Sequence, residues 1–358
     1  MLELLILVEK VLKKRIHGWL ENLSSNLELG RFSFCLKGNL VPTSKHAASM
    51  ATVFAAKIAY QTGLWSTWSQ KKKDACIAFM LSFQDEDGWV RDPWILDYYD
   101  KHPEVYPCLQ ETIRAETRQL LSLLITLGAK PLYAPPLEYD SPENLIAFIR
   151  SFDWSNPWAA ASHWSHQAFL IATSKAAGKD VTSLEAALFS VLDEYYHPEC
   201  GLWFDSSQMP PVSNILINGA MKVFTGLQWL PANPMNHEPL VRFCLKTMRM
   251  DDSCSLLNQI YVLQEATTVH NEKTALTTEA RNAAMRLARQ TMRYYRWKEG
   301  AFSFYPSRAQ HCYYAGIPTS KGLKTADLHG SAMQTWALAL AMQFLGYSDD
   351  CGWAIQRV

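Results

Sequence analysis

Three polar groupings in the chain carry the residue types that proton chemistry needs. Asp251 and Asp252 stand side by side in Arg249-Met250-Asp251-Asp252-Ser253. A carboxyl flanked by a second carboxyl gains proton affinity and can hold a proton for delivery, although Arg249 opposes that rise. His163 and His166 stand three apart in Asp153 to His166, DWSNPWAAASHWSH, the most unusual local composition in the chain. On a helix they share one face. Asp327 and His329 head a long apolar run ending at Gly346. Arg114, Glu116, Arg118, Asn218 and Lys222 are candidate substrate contacts, the cations for an anionic group. The plainer readings are a helix cap for the Asp251–Asp252 pair and a local hydrogen bond for each His.

These groups need helices to position them. Asp327 to Gly346, DLHGSAMQTWALALAMQFLG, joins a capping Asp, a tightly packing body and a glycine stop. Looser versions run Lys45–Gly63, Glu111–Gly128, Ala161–Gly178, Ser213–Leu230 and Asp251–Glu265, each apolar nearly all round, as in a buried helix. A second set, Leu2–Leu23, Ser69–Phe83, Ser141 to about Phe152, Thr182–Tyr196, His237–Met250 and Thr277–Trp297, carries charge on one face. Outer and inner helices thus alternate through six pairs at a period of roughly 50 residues, which implies a solenoid or closed ring. The expectation is an all-α (α/α)6 toroid of six outer/inner pairs, one domain over residues 1–358, with an open superhelix as the alternative.

Loop lengths then say where function belongs. Connections into the inner helices are mostly long (24–44, 84–110, 197–212 and 298–326), and long ordered loops usually carry function. They gather where inner helices begin and unpaired N–H groups favour an anion. The starts would place His46, Glu116, His163, Asn218, Asp252 and His329 at one mouth. Aromatic residues crowd the same loops, including Trp89, Trp154, Trp158, Tyr313 and Tyr314. Their faces can stack on sugars or stabilise carbocations, or merely wedge the loops in place.

Composition excludes several classes. Apolar residues make up 48% and charged residues 19%, enough for a large core. A formal net charge of zero argues against nucleic acid as partner. Eight scattered cysteines without a C-x-x-C pair read as reduced thiols, hence a cytoplasmic protein. The opening MLELLILVEKVLKKR carries Glu3 and Glu9 and reads as an amphipathic helix rather than a secretion signal. No segment approaches ~20 apolar residues, so no membrane span is expected.

Gln334-Thr335-Trp336-Ala337-Leu338 resembles the QTAWAL segment of squalene–hopene-type cyclases, one Ala short. Gln84-Asp85-Glu86-Asp87-Gly88-Trp89 is similar to their Q-x-x-D-G-x-W repeat, one residue short, with weaker copies at Gly201–Phe204 and Gly300–Phe304. In that family the Gln and Trp tie a loop to a neighbouring helix. The resemblance puts Asp251 where the family's D-x-D-D-T motif has its general acid, with Arg249 in place of the first Asp. It extends to the single-toroid β subunits of protein prenyltransferases, which would imply zinc on Asp252, Cys254 and His329 and a partner subunit. In register on the final Leu-Gly, however, Gln334 falls at the zinc His position, so no metal and no cofactor is expected.

The leading expectation is therefore isoprenoid chemistry, cyclisation or prenyl transfer. Asp251 or Asp252 would be the acid, Arg114, Arg118 and Lys222 the head-group contacts, and the aromatics the cation-stabilising wall. The alternative is a toroidal lyase, hydrolase or epimerase acting on an acidic sugar or polysaccharide. His163, His166, Lys222, Asp327 and His329 would then serve as acid–base groups. A third reading is a non-catalytic binding subunit, since fold does not decide function.

Overall fold

The computed structural model describes residues 2–43, 47–105, 108–207, 212–231, 237–248, 252–268, 275–313, 316–347 and 352–357, with the side chains of 2–9 and 268 excepted. In chain order the helices are α1 (Leu2–Ser24), α2 (Ser49–Gln61), α3 (Leu64–Thr67), α4 (Gln70–Leu81), α5 (Pro93–Lys101), α6 (Leu109–Thr126) and α7 (Pro142–Arg150). Then come α8 (Pro157–Ala176), α9 (Thr182–Glu194), α10 (Ser213–Leu227), α11 (Glu238–Lys246), α12 (Ser253–Thr268), α13 (Ala275–Gln290) and α14 (Leu328–Leu345). The strands among the described residues form two hairpins, β1 (Tyr196–His197) with β2 (Leu202–Trp203) and β3 (Tyr295–Arg296) with β4 (Ala301–Phe302). The class is all-α, as the sequence implies. No helix among the described residues is long and apolar enough to cross a membrane.

Burial alternates along the chain as the pattern of apolar residues requires. Helices α2, α6, α8, α10 and α14 are buried on nearly every face. Helices α4, α7, α9, α11 and α13 bury one face only. Local signals set the ends. Ser69 and Ser141 accept the Lys72 and Asn144 N–H groups, and Asp327 accepts that of Gly330. Gly346 stops α14 in the left-handed region at φ 84°. The helix expected over Thr277–Trp297 stops at Gln290, because Tyr295–Arg296 turn into a hairpin; α11, within the expected His237–Met250, ends at Lys246. Helix α5 falls inside a stretch expected to be loop. Its Asp92-Pro93 start is a legible cap followed by a first-turn proline.

The chain divides into two compact units. The first comprises Met1–Tyr133, Asp251–Leu257 and Ala288–Gln356. In it α2 packs against α14 and α6, with α3 and α4 also on it, while α14 and α1 both pack on β4. Gln334 of α14 donates to Ser253 Oγ at the start of α12 at 2.9 Å, so this glutamine joins α14 to the start of α12.

The Gln84 side chain clamps its own turn to a distant loop. Its amide Nε2 donates to Tyr133 O, and its Oε1 accepts from the Leu132 and Tyr133 N–H groups, tying the turn to the segment after α6. Two other turns repeat the design: Phe204 and Ser303 donate back to Tyr195 O and Tyr294 O across Gly201 and Gly300, both at positive φ. Gln84→Ala removes all three clamp bonds to the part-buried Leu132–Tyr133 backbone. A loss of roughly 1–3 kcal/mol is expected, read as a lowered thermal midpoint.

The second unit comprises Ala134–Met250, Asn258–Leu287 and Arg357–Val358. Here α8 and α10 pack closely, α7 lies on α9, and both touch α8. Glycine makes the α8–α10 approach possible. A Cβ at Gly226 would stand 2.4 Å from Trp164 Cζ3, and one at Gly219 3.0 Å from Pro157. Trp164 cannot retreat easily, because its indole N–H donates to Leu188 O at 2.9 Å. Gly226→Ala is therefore expected to cost about 1–3 kcal/mol by overpacking, measurable in a thermal melt.

Candidate active site

The first unit brings together a carboxyl, a phenol, an imidazole and an ammonium from four segments. Helix α2 supplies Phe54 and Lys57, α6 supplies Glu116, α14 supplies His329, and the loop before α14 supplies Gln310 and Tyr313. Tyr313 OH donates to Glu116 Oε1 at 2.9 Å. Glu116 is 4% exposed, and burial pushes its carboxyl up from 4.5 to about 7; nearby Asp92 adds to the rise, and the Tyr313 bond and the Lys57 charge temper it. The carboxyl is thus poised between its two protonation states near neutrality. Lys57 is the one charged residue of α2, is itself buried, and donates to Gln119 Oε1.

His329 stacks on Phe54 with ring centroids 4.6 Å apart and planes 16° from parallel, and it meets Tyr313 edge-on at 6.0 Å. Its Nδ1 is 2.6 Å from Gln310 Oε1. An Nδ1–H donating to that oxygen leaves the lone pair on Nε2, the tautomer of a base. Tyr313 stands between this imidazole and the Glu116 carboxyl, touching both.

Asp327, expected among the catalytic groups, is held by backbone N–H groups. It is fully buried, with Oδ1 accepting from Gly330 N and Oδ2 from Phe304 N and Gln310 N. Burial lifts its carboxyl to about 7 against the pull of those three N–H groups. Both its oxygens are engaged by backbone, so it caps α14 and fixes the chain on which Gln310 sits. Asp92 acts similarly: it caps α5 through Trp94 N and also accepts from Ala48 N and Ser49 N at the start of α2. Burial raises its carboxyl too. The left-handed Ala48 (φ 63°) is held in that costly conformation at this junction.

The Asp251–Asp252 acid is not what the geometry favours. Asp252 Oδ1 accepts from Ser255 N at 2.8 Å, which is the cap of α12, while Asp251 lies outside the described residues, as do Tyr314 and His46. No group of three His, Cys, Asp or Glu side chains among the described residues is placed to hold a metal. Arg114 and Arg118 are buried in α6, and Trp89 is buried in the Gln84 turn with its backbone N–H donating to Asp87 Oδ1. Burial holds Glu111 above the usual carboxylate range, and the Arg114 charge works against it.

The remaining candidates lie in the second unit. His163 stacks on Phe152 at 3.9 Å and 7°, and His166 meets it edge-on at 6.0 Å. Trp154 stacks on Tyr195 and donates to Ile149 O, a wedge rather than a ligand platform. Trp158 is 37% exposed on α8. Asn218 accepts from Asn258 Nδ2 at 2.8 Å, and Lys222 is half-buried on α10. Sequence reasoning missed Lys57, Phe54 and Gln310. A single lysine inside an otherwise apolar, all-round buried helix was the available signal for the first.

A cavity of about 610 Å³ opens between the last turns of α5 and the first turn of α6, lined by Leu96, Asp97, Tyr99, Asp100, Pro103, Cys108 and Leu109.

Neither a family model nor a curated protein matches the chain. Among solved structures it is similar to an inactive variant of the alpha-1,6-mannanase GH76A of Salegentibacter sp. HEL1_6, in complex with alpha-1,6-mannotetrose. The identity is 11%, the similarity covers 95% of this chain and 98% of that one, and the TM-score is 0.39. A similarity at that level transfers neither site nor activity.

Proposed function

We propose that the protein is an acid–base enzyme acting on an acidic carbohydrate, by elimination or epimerisation next to a uronate carboxylate. The observation that carries this reading is the Tyr313–Glu116 hydrogen bond, with a carboxyl at about 7, beside an imidazole set on the other side of the same phenol. His329 Nε2 takes the proton on the carbon next to the uronate carboxylate. Glu116 Oε2, protonated, gives its proton to the departing glycosidic oxygen in elimination. In epimerisation, Tyr313 returns a proton to the opposite face of that carbon and is reprotonated from Glu116. The Lys57 ammonium, close enough to temper Glu116, is the cation to favour the negative charge that develops on the substrate.

Two features support this reading over isoprenoid cyclisation. The groups gathered here are hydrogen-bonding ones, suited to hydroxyls, and the Asp252 carboxylate is committed to a helix cap. The first unit also lacks a pair of uncommitted buried carboxyls among its described residues, because Asp92 and Asp327 both serve backbone N–H groups. Hydrolysis by paired carboxylates is therefore the less favoured carbohydrate reaction.

The test is a substrate panel of polyuronates, uronate-containing glycosaminoglycans, neutral glycans and linear prenyl diphosphates, with products followed by mass spectrometry. Turnover of uronate-bearing glycans alone is the expected result. Conversion of a prenyl diphosphate, or hydrolysis of a neutral glycan only, would overturn the proposal.

A further inference from the structure

Gln119 stands nearly one turn after Glu116 on α6, on the same face of the helix. Its side chain is tied to α2, because the buried Lys57 ammonium donates to its Oε1. An ammonium can only donate, so the carboxamide oxygen must face it and the N–H₂ must point elsewhere. That N–H₂ has no acceptor among the described residues, and the side chain is half-buried. Glu116 and Lys57 lie deeper, at 4% and 2% exposed, so Gln119 offers the accessible polar edge of the pair. The imidazole is close by. His329 stacks on the Phe54 ring at 4.6 Å, and the Lys57 ammonium stands 5.8 Å from the centroid of that same ring. One phenyl ring, about as broad as a pyranose, thus links the base to the Lys57–Gln119 pair.

N–H donors beside a buried cation select a group that only accepts. A carboxylate accepts through two oxygens, and charge-assisted bonds to it are the strong ones. The reaction asks for the same contact. The carbon beside a carboxylate gives up its proton readily only when the negative charge that builds on that group is taken up. An ester carries no charge there and needs no such help. We propose that the Gln119 N–H₂, with the Lys57 ammonium behind it, holds the uronate carboxylate of the substrate, so that the free acid is selected over its ester. This rests on the acidic-carbohydrate reading above and adds the residue that reads the acid. A diphosphate is also an acceptor-only anion, and one arm of the test separates the two.

Two variants test the contact. Gln119→Glu keeps an oxygen for Lys57 and nearly the same volume, but replaces the donors with a charge that repels a carboxylate. Gln119→Met keeps the length and loses the donors without adding charge. Rates would be measured on polygalacturonate and on hyaluronan fragments, each as free acid and as methyl ester. Wild type is expected to favour the free acid. The ratio of acid to ester kcat/KM should fall at least about tenfold in Gln119→Glu, mostly through KM for the acid, and less in Gln119→Met. Comparing the two forms on one enzyme cancels any change that the new charge brings to the Glu116 carboxyl. Binding is read separately from turnover by the Gln119 side-chain N–H₂ signals in ¹⁵N–¹H NMR. They should move on titrating sodium glucuronate or galacturonate, and stay in place with the methyl esters or with dimethylallyl diphosphate. Movement with the free acids, but no turnover of any uronate glycan, would uphold the contact and sink the acid–base reading. Turnover with the same acid-to-ester ratio in wild type and both variants would uphold the acid–base reading and overturn the contact. Signals that move with the diphosphate alone, or that never move while no glycan is turned over, would overturn both.

Discussion

Glu116→Gln is expected to lower turnover at least ~10²-fold while the protein melts no lower than wild type. Gln keeps an oxygen to accept the Tyr313 hydroxyl and nearly the same volume, so the packing around α6 survives. What it cannot do is donate an acidic proton. The two effects separate with pH. The Glu116 carboxyl is raised in the folded state from 4.5 to about 7. A raised carboxyl contributes stability below its unfolded value that is lost as pH rises through the folded value. Wild type therefore loses up to roughly 3 kcal/mol as pH rises from 4.5 to about 7, and the Gln variant does not. The variant should match wild type in a melt below pH 4.5 and exceed it at pH 8. Wild-type turnover should fall as pH rises through about 7, where the general acid loses its proton. A variant that keeps full activity would reduce Glu116 to a buried structural acid.

Asp327→Ala is expected to be the most destabilising single change in the first unit. It removes the acceptor for Gly330 N, Phe304 N and Gln310 N together. A lost cap costs ~1 kcal/mol, and each buried N–H left unpaired adds roughly 1–3 kcal/mol. The total of about 3 kcal/mol or more should appear in full in a melt below the unfolded value of 3.8, where the carboxyl is protonated in both states. From there to about pH 7 the deficit should narrow, because the unfolded chain ionises this carboxyl while the folded one, whose value is about 7, keeps it protonated. Activity should fall too, through the displaced Gln310 and the imidazole it orients. Asp327→Asn keeps Oδ1 for Gly330 N but turns an N–H₂ toward the other two donors, and should be intermediate. If Asp327→Ala melts like wild type, the backbone bonds drawn to this carboxylate do not hold the loop.

What could be read from the sequence follows from how local each signal is. The helix pairs were legible because burial on all faces or one face is written in the spacing of apolar residues, and α2 against α4 or α8 against α9 shows it directly. The capping Asp327 and the Gln84 turn were legible because their partners lie close in sequence or repeat. The site was only partly legible. Glu116 and His329 were among the candidates, but nothing local says that Tyr313, 197 residues from Glu116, would join them. Asp252 is ambiguous in sequence because a helix cap and a general acid share one residue type at one kind of position. His163 and Asn218 are ambiguous for a related reason: a polar residue near the start of a buried helix looks the same whether it meets a substrate, a Phe152 ring or an Asn258 amide.

The most direct test of the acid–base claim is hydrogen exchange at the carbon beside the uronate carboxylate. Wild type, Glu116→Gln and His329→Ala would each be incubated in D₂O with the glycan selected by the substrate panel, and recovered substrate and product examined by NMR. Wild type should place deuterium at that carbon, or yield the unsaturated uronate with loss of its proton. Glu116→Gln should still exchange the proton slowly while failing to expel the leaving group, and His329→Ala should do neither. Cleavage by wild type with that carbon–hydrogen bond untouched and water oxygen at the anomeric carbon would be hydrolysis, and would contradict the account.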